Sequence, residues 1–301
     1  MLSIQWDKKA VDEFFRFVSE RQNIWRKKEE LRMPPPWTND PILQSFHFCN
    51  VFRRLDRGTI YALDYILNWP SLVDVLFNTV VYRLFNKPET AGMIGFSSID
   101  QFDWRSVSKK LMGAYDIGIK IFNPSYLTSA AGCGNGHGSK IKAYCKSISD
   151  SRSLVKDISK NIAVLNFRDA HEEVTRIKYV GGFIGYQVVL DLSYTKFFEH
   201  WVMNEWAYIG PGAARGLNRL VTNPSKDVKT YKYTDEFYQD VLRHLYKHQF
   251  RKLDEDFRCH GYDWNVNEIE FSACEFNKYM RVKSGAAMPH VRRRISGRGS
   301  G

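Results

Sequence analysis

The 301-residue chain has no Cys-x-x-Cys pair, no Gly-x-x-x-x-Gly-Lys-Ser/Thr loop, and no apolar run near the ~20 residues a membrane-spanning helix needs. Each absence removes a class of function. The five cysteines, Cys49, Cys133, Cys145, Cys259 and Cys274, are odd in number and scattered, which argues against a disulfide framework and for a reducing compartment. Cys133 with His137, and Cys259 with His260, lack the spacing of a zinc site, so no metal is expected. The N-terminal Met-Leu-Ser-Ile-Gln-Trp-Asp-Lys-Lys lacks the apolar core of a signal peptide. A cytoplasmic monomer, away from membranes and without an organic cofactor, is the expectation. The Gly132–Lys140 stretch is glycine-rich, but it ends Gly138-Ser139-Lys140 and no apolar strand leads into it. It reads as a surface loop that touches DNA, not as a nucleotide site.

Acid is also in short supply. Lys and Arg number 44 against 33 Asp and Glu, a formal net charge of +11. Residues 281–301 hold Arg281, Lys283, Arg292, Arg293, Arg294 and Arg298 with no acid, which is +6 and leaves +5 on the remainder. The tail from Ser284 reads as a disordered basic arm, and a polyanion is the natural partner.

What is present is a 44% hydrophobic, 15% aromatic composition, ample for a core. Apolar positions recur at helical spacing over about 10–31, and Pro34 to Pro36 stop that helix. Asp40-Pro41 opens another, with Asp as N-cap and Pro at the first position, running through Phe46, Phe48, Val51 and Phe52 toward Arg53. Further helices are predicted near 58–68, 71–86, 100–112, 140–149, 152–161, 169–178, 234–250 and 266–281. The alternation of Tyr115, Ile117, Ile119 and Ile121 predicts a small β element within 113–128. Asn223-Pro224-Ser225 reads as a linker.

The most informative segment is Tyr179-Val-Gly-Gly-Phe-Ile-Gly-Tyr-Gln-Val-Val-Leu-Asp191. It predicts helix, tight hairpin, helix, with Gly181 and Gly182 letting backbone N–H groups approach a phosphate. Gly210-Pro-Gly212 opens another helix, on which Arg215 and Arg219 stand one turn apart. Lys278 and Arg281 share a face that could meet DNA phosphates. Asn50, Arg53 and Asp56 fall at i, i+3 and i+6, giving neighbours a shared helical face as a structural and site-lining element.

At these residues the chain resembles a known family. The carriers are Arg21 with Pro36-Trp-Thr-x-Asp-Pro-Ile-Leu, Asn50-Val-x-Arg53-x-x-Asp56, Gly182-Phe-x-Gly-Tyr-Gln-Val-x-x-Asp191-Leu, Gly210-Pro-Gly-x-x-Arg-Gly-Leu and Cys274-Glu-Phe-x-Lys-Tyr. Together they resemble the α-glutamyl/putrescinyl thymine pyrophosphorylase family, whose module is also described as the helical domain of 5-hydroxymethyluracil DNA kinases. The resemblance implies a mostly α chain with a helix-hairpin-helix DNA glycosylase-like fold. One such region would span 1–283, readable as two helical lobes, about 1–112 plus the C-terminal helices, and about 140–222 with the hairpin.

The function this implies is a monofunctional DNA N-glycosylase. It would flip a bulky hydroxymethyl-derived pyrimidine, such as a glycosylated one, out of double-stranded phage-type DNA and excise it in anti-phage defence. Asp191 or Glu205 would stabilise the positive charge developing on the sugar. Asn50, Arg53, Asp56, Trp37, Tyr186 and Gln187 would bind the base. Ile184 replaces a glycine of the glycosylase hairpin, and Tyr186 stands where a Schiff-base lysine would be, so a lyase step is not expected. The alternative is a hypermodification transferase in which an amine displaces pyrophosphate from a modified thymine in DNA. A third reading is a non-catalytic DNA-binding module.

Overall fold

The computed structural model describes residues 4–123, 133, 136–222, 233–253, 257 and 264–286. The linker at 223–225, residues 132, 134 and 135 of the glycine-rich stretch and the arm beyond residue 286 lie outside them, whereas His137–Lys140, expected as surface loop, are helical. The chain divides into two compact units, one formed by 1–56 with 203–301 and the other by 57–202. The divisions thus fall after Asp56 and after Val202.

The first unit opens with α1, Lys8–Trp25, which continues as a π-helical turn over Arg26–Glu30. Asp7 caps α1 by accepting the Ala10 N–H at 3.0 Å. Phe14, Phe17, Val18 and Arg21 recur at three- and four-residue spacing and are buried. α2, Pro41–Ser45, begins as its sequence requires: Asp40 accepts the N–H groups of Ile42 and Leu43 at 2.9 and 3.1 Å, with proline at the first position. It is much shorter than expected. Phe46 leaves the helix in extended conformation, and Arg53–Leu55 forms only a 3₁₀ turn. The cause is tertiary: the backbone N–H groups of Cys49, Asn50 and Arg53 donate to the carboxylates of Glu275, Asp56 and Glu268 instead of to a helical ladder.

The second unit is helical among its described residues: α3 (Arg57–Tyr65), α4 (Leu72–Phe85), α5 (Pro88–Ile94), α6 (Trp104–Asp116), α7 (His137–Asp150), α8 (Arg152–Asn161), α9 (Phe167–Val174) and α10 (Gly182–Leu192). α4 is buried from Val75 through Phe85 and packs on α5, α7, α8 and α10. Even its polar side chains are satisfied inside: Asn78 donates to the Asp74 and Ser97 carbonyls, and Thr79 to that of Val75. Asn86 ends the helix in the left-handed region, at φ 49°. α9 and α10 pack together across a short connection, with Gly181 as the N-cap of α10. The expected β element is not found over 113–123. Asp103 caps α6 through the Arg105 and Ser106 N–H groups, and that helix runs on to Asp116. Gly118 then turns the chain at φ 87°. The isoleucine alternation is that of a loop which buries Ile121 and exposes Ile117.

The chain returns to the first unit with α11 (Pro211–Asn218), α12 (Asp235–Lys252) and α13 (Val266–Lys283). Its core is aromatic: Phe14 and Phe15 pack on Trp264, and Phe17 on Phe276 and Tyr279. α11 and α13 cross at backbone contact. A Cβ on Gly216 would lie 1.9 Å from the Ala273 carbonyl oxygen, and one on Gly212 2.5 Å from the Cys274 sulfur. In the first unit Trp6 and Val221 pair through an isolated antiparallel bridge. Among the described residues no helix is long and apolar enough to cross a membrane.

Candidate functional site

α13 is unusual for a buried helix because it carries Glu268, Glu270 and Glu275, all nearly sealed from solvent. Asn265 caps it by accepting the Asn267 and Glu268 N–H groups. Opposite these acids stand Arg21 from α1 and Arg53 from the 3₁₀ turn, both also buried. Arg21 donates through Nε to the Cys49 carbonyl at 3.1 Å, with Nη2 on the same oxygen, and its guanidinium carbon lies 5.0 Å from the Phe17 ring centre. Its Nη1 is buried without a hydrogen-bond partner. The Arg53 N–H donates to Glu268 at 3.0 Å, and its guanidinium lies over Phe271 at 4.6 Å. Lys278 bonds Glu275 at 2.5 Å.

Asp56 completes the group from its half-buried position. It accepts the Asn50 N–H at 3.0 Å, while the Asn50 side chain donates to the Leu55 carbonyl at 2.7 Å. The expected grouping of Asn50, Arg53 and Asp56 therefore occurs, but through a closed loop and not a helical face. Burial raises Asp56 to about 6, against the pull of Arg53 and the Asn50 N–H. Burial likewise raises Glu268 to about 7, opposed by Arg53, and Glu270 to about 8, opposed by Arg53 and the Gly210 N–H. Lys278 is raised as well, for a different cause: burial would lower it, but the Glu275 carboxylate holds it above its ordinary value. The site thus contains carboxyl groups poised to exchange protons near neutrality. Glu268 and Glu270 are absent from the sequence-based site. Their only signal is acids alternating with Ile269 and Phe271, a pattern that a solvated helix shares.

The other expected residues fall elsewhere. Asp191 is fully buried in the second unit, where Arg83 grips both oxygens, Nε to Oδ2 at 2.6 Å and Nη2 to Oδ1 at 2.5 Å. Arg83 also donates to Asn86 at 2.8 Å. With both oxygens engaged by Arg83, Asp191 joins α10 to α4. Tyr186 and Gln187 are buried in the same helix, Tyr186 against Phe167 and His171. Both are nearly sealed from solvent. Glu205 is exposed on a turn, where its carbonyl accepts from Arg243. Trp37 is half-buried, with its indole N–H on the Met33 carbonyl at 2.7 Å. Gly181 is exposed at the start of α10, with Gly182 beside it. Arg215 is exposed on α11, and Arg219, half-buried, donates to Asn277 at 3.1 Å. Burial lowers Arg219, and Arg281 adds to that by repulsion, which puts these two cations close together.

Residues 8–288 match the family described as "5-hmdU DNA kinase, helical domain". The chain is 28% identical over 291 residues to a 5-hmdU DNA kinase of Bacillus phage SP10, covering 89% of this chain and 44% of that protein. It therefore spans less than half the length of that relative. No solved structure matches. The glycosylase expectation is overturned by these matches: both descriptions are of DNA kinases, not of a hydrolase that excises a base in antiviral defence. With it go the roles of Asp191 and Glu205 in stabilising a sugar cation. The match extends over nearly the whole chain, and the chain belongs to the family of 5-hmdU DNA kinase helical domains.

Proposed function

We propose that this chain binds DNA carrying a 5-hydroxymethyl-type pyrimidine and takes part in group transfer at the 5-substituent, with the glycosidic bond kept intact. The observation that carries this reading is the family match over residues 8–288. The buried acid cluster supports it, because transfer to or from a hydroxymethyl group requires a group that accepts a proton near neutral pH. Asp56, half-buried at the edge of the cluster, is the carboxyl placed to meet substrate, with Asn50 and Arg53 orienting it. DNA phosphates are assigned to Arg215, Arg219, Lys278 and Arg281 in the first unit, and to the backbone at Gly181 and Gly182 in the second.

Two reactions fit this description. Phosphoryl transfer onto the 5-hydroxyl is the one the relative's name states. The other is displacement: an amine nitrogen bonds to the 5-methylene carbon, the carbon–oxygen bond to pyrophosphate breaks, and a carboxylate takes the amine proton. The helix-hairpin-helix glycosylase resemblance would then describe a DNA-handling scaffold turned to another chemistry.

The test is nucleoside mass spectrometry in two arms. One offers DNA containing 5-hydroxymethyluracil with a nucleoside triphosphate, and the other offers pyrophosphorylated DNA with a primary amine. A mass change at the 5-substituent without abasic sites is expected in one arm. Unchanged nucleosides in both arms, or abasic sites, would overturn the proposal.

A further inference from the structure

The segment that follows the π-helical turn is built in an unusual way. Leu31 and Met33 expose 60% and 46% of their surface, and Pro34, Pro35 and Pro36 are exposed beside them. Arg32 between them sits in the left-handed region at φ 51°, which a non-glycine residue adopts only where its surroundings hold it there. The holding contacts are visible. The Leu31 N–H donates to the Arg26 carbonyl and the Met33 N–H to that of Lys27, both at 2.9 Å. The Trp37 indole N–H closes onto the Met33 carbonyl at 2.7 Å, and Lys27 Nζ donates to the Trp37 carbonyl at 3.0 Å. Two apolar side chains are thus presented to solvent side by side on a pinned backbone.

Beside this prong lies a cleft of about 560 Å³, lined by Arg16, Glu20, Lys27, Trp37, Asn39 and Asp40 among others. That volume suits a single nucleotide, and the half-buried indole offers it a wall. Residues 26–32 carry Arg26, Lys27, Lys28 and Arg32 against Glu29 and Glu30, a net charge of +2 around the two apolar tips. Apolar wedges flanked by cations are how proteins enter a stack of bases, and an adjoining pocket is what an extruded nucleotide needs.

We propose that Leu31 and Met33 form a wedge that enters the base stack of duplex DNA, and that the Trp37 cleft receives the nucleotide so displaced. This rests on the reading of DNA as substrate, but not on any reaction. It gives Trp37 a role distinct from that of the buried acid cluster.

The experiment uses duplex DNA with 2-aminopurine next to 5-hydroxymethyluracil, without a co-reactant, so that fluorescence reports unstacking. The wild-type chain is expected to raise the signal severalfold. The double substitution Leu31→Ala/Met33→Ala should remove most of that rise, and Trp37→Ala should weaken binding about tenfold, the size of one lost base–aromatic stack. Thermal melting of each variant checks that the fold is kept. An unchanged rise in the double variant, or none in the wild type, overturns the wedge. So does binding to anionic vesicles that the same substitutions abolish while the DNA signal stays flat. A fluorescence rise here with unaltered nucleosides in both co-reactant arms of the mass-spectrometry test would uphold the wedge and sink the group-transfer reading, whereas altered nucleosides there with a flat signal here would do the reverse.

Discussion

The two units each bury charge, and they do so in opposite ways. In the second unit Arg83 and Asp191 form a closed bidentate pair, with Asn86 taking a further guanidinium N–H. In the first, Arg21, Arg53 and Lys278 face Asp56, Glu268, Glu270 and Glu275, so acid is in excess and one Arg21 nitrogen has no partner. A one-to-one pair in ideal geometry is a structural joint. An excess of carboxyls that burial holds partly protonated is an arrangement that folding alone does not require, which is why the chemistry is assigned to the first unit.

The largest expected effect tests the joint. Arg83→Met should lower stability by about 3–5 kcal/mol by leaving Asp191 buried and unpaired, as read by urea unfolding. The double change Arg83→Met/Asp191→Leu should recover most of that loss. A double variant as unstable as the single would show that Arg83 matters for packing and not for its charge.

The next effect distinguishes the cluster from the joint by its pH dependence. Glu268 and Glu270 rise to about 7 and about 8 in the folded chain, whereas an unfolded glutamate titrates near ~4.3. From that value upward the unfolded chain has lost protons that the folded one retains. Their contribution is therefore full below pH ~4 and lost as pH rises through 7 to 8. Stability should therefore fall as pH rises across that window. Glu268→Gln and Glu270→Gln should each flatten the denaturation-against-pH curve, and a slope that survives both changes would remove the cluster from consideration as a proton store.

The smallest effect sets the scale. Lys146 and Asp150 form an exposed pair one turn apart on α7. Asp150→Asn should change stability by less than about 0.5 kcal/mol, because water screens the pair and holding it costs side-chain entropy. A larger loss there would blur the contrast between surface and buried ion pairs.

Local signals in the sequence were readable and distant ones were not. Asp40-Pro41 and Gly210-Pro211 both open helices as expected, since a cap depends on residues within one turn. The extent of α2 could not be read, because the groups that end it, Glu268 and Glu275, lie more than 200 residues away. The isoleucine alternation misled because a period of two over a few residues also fits a loop. Asp191 drew attention through its motif, but a motif does not reveal that Arg83, from another helix, already occupies the carboxylate. Asn50, Arg53 and Asp56 lie near one another because they are close in sequence, through a loop and not the expected helical face, whereas their partners on α13 became visible only on folding.

The crossing of α11 and α13 has a consequence for how the chemistry can be regulated. With Gly216 seated against the Ala273 carbonyl and Gly212 against Cys274, the two helices are keyed together like a shaft in its slot. A slip of α13 by one residue would turn its acids by about 100° and drive side chains into that seat. The carboxyls therefore cannot be retuned by sliding or rotating their helix. What remains free to adjust is what faces them, such as the Cys49–Asp56 loop, which is held by hydrogen bonds and not by interlocked backbone.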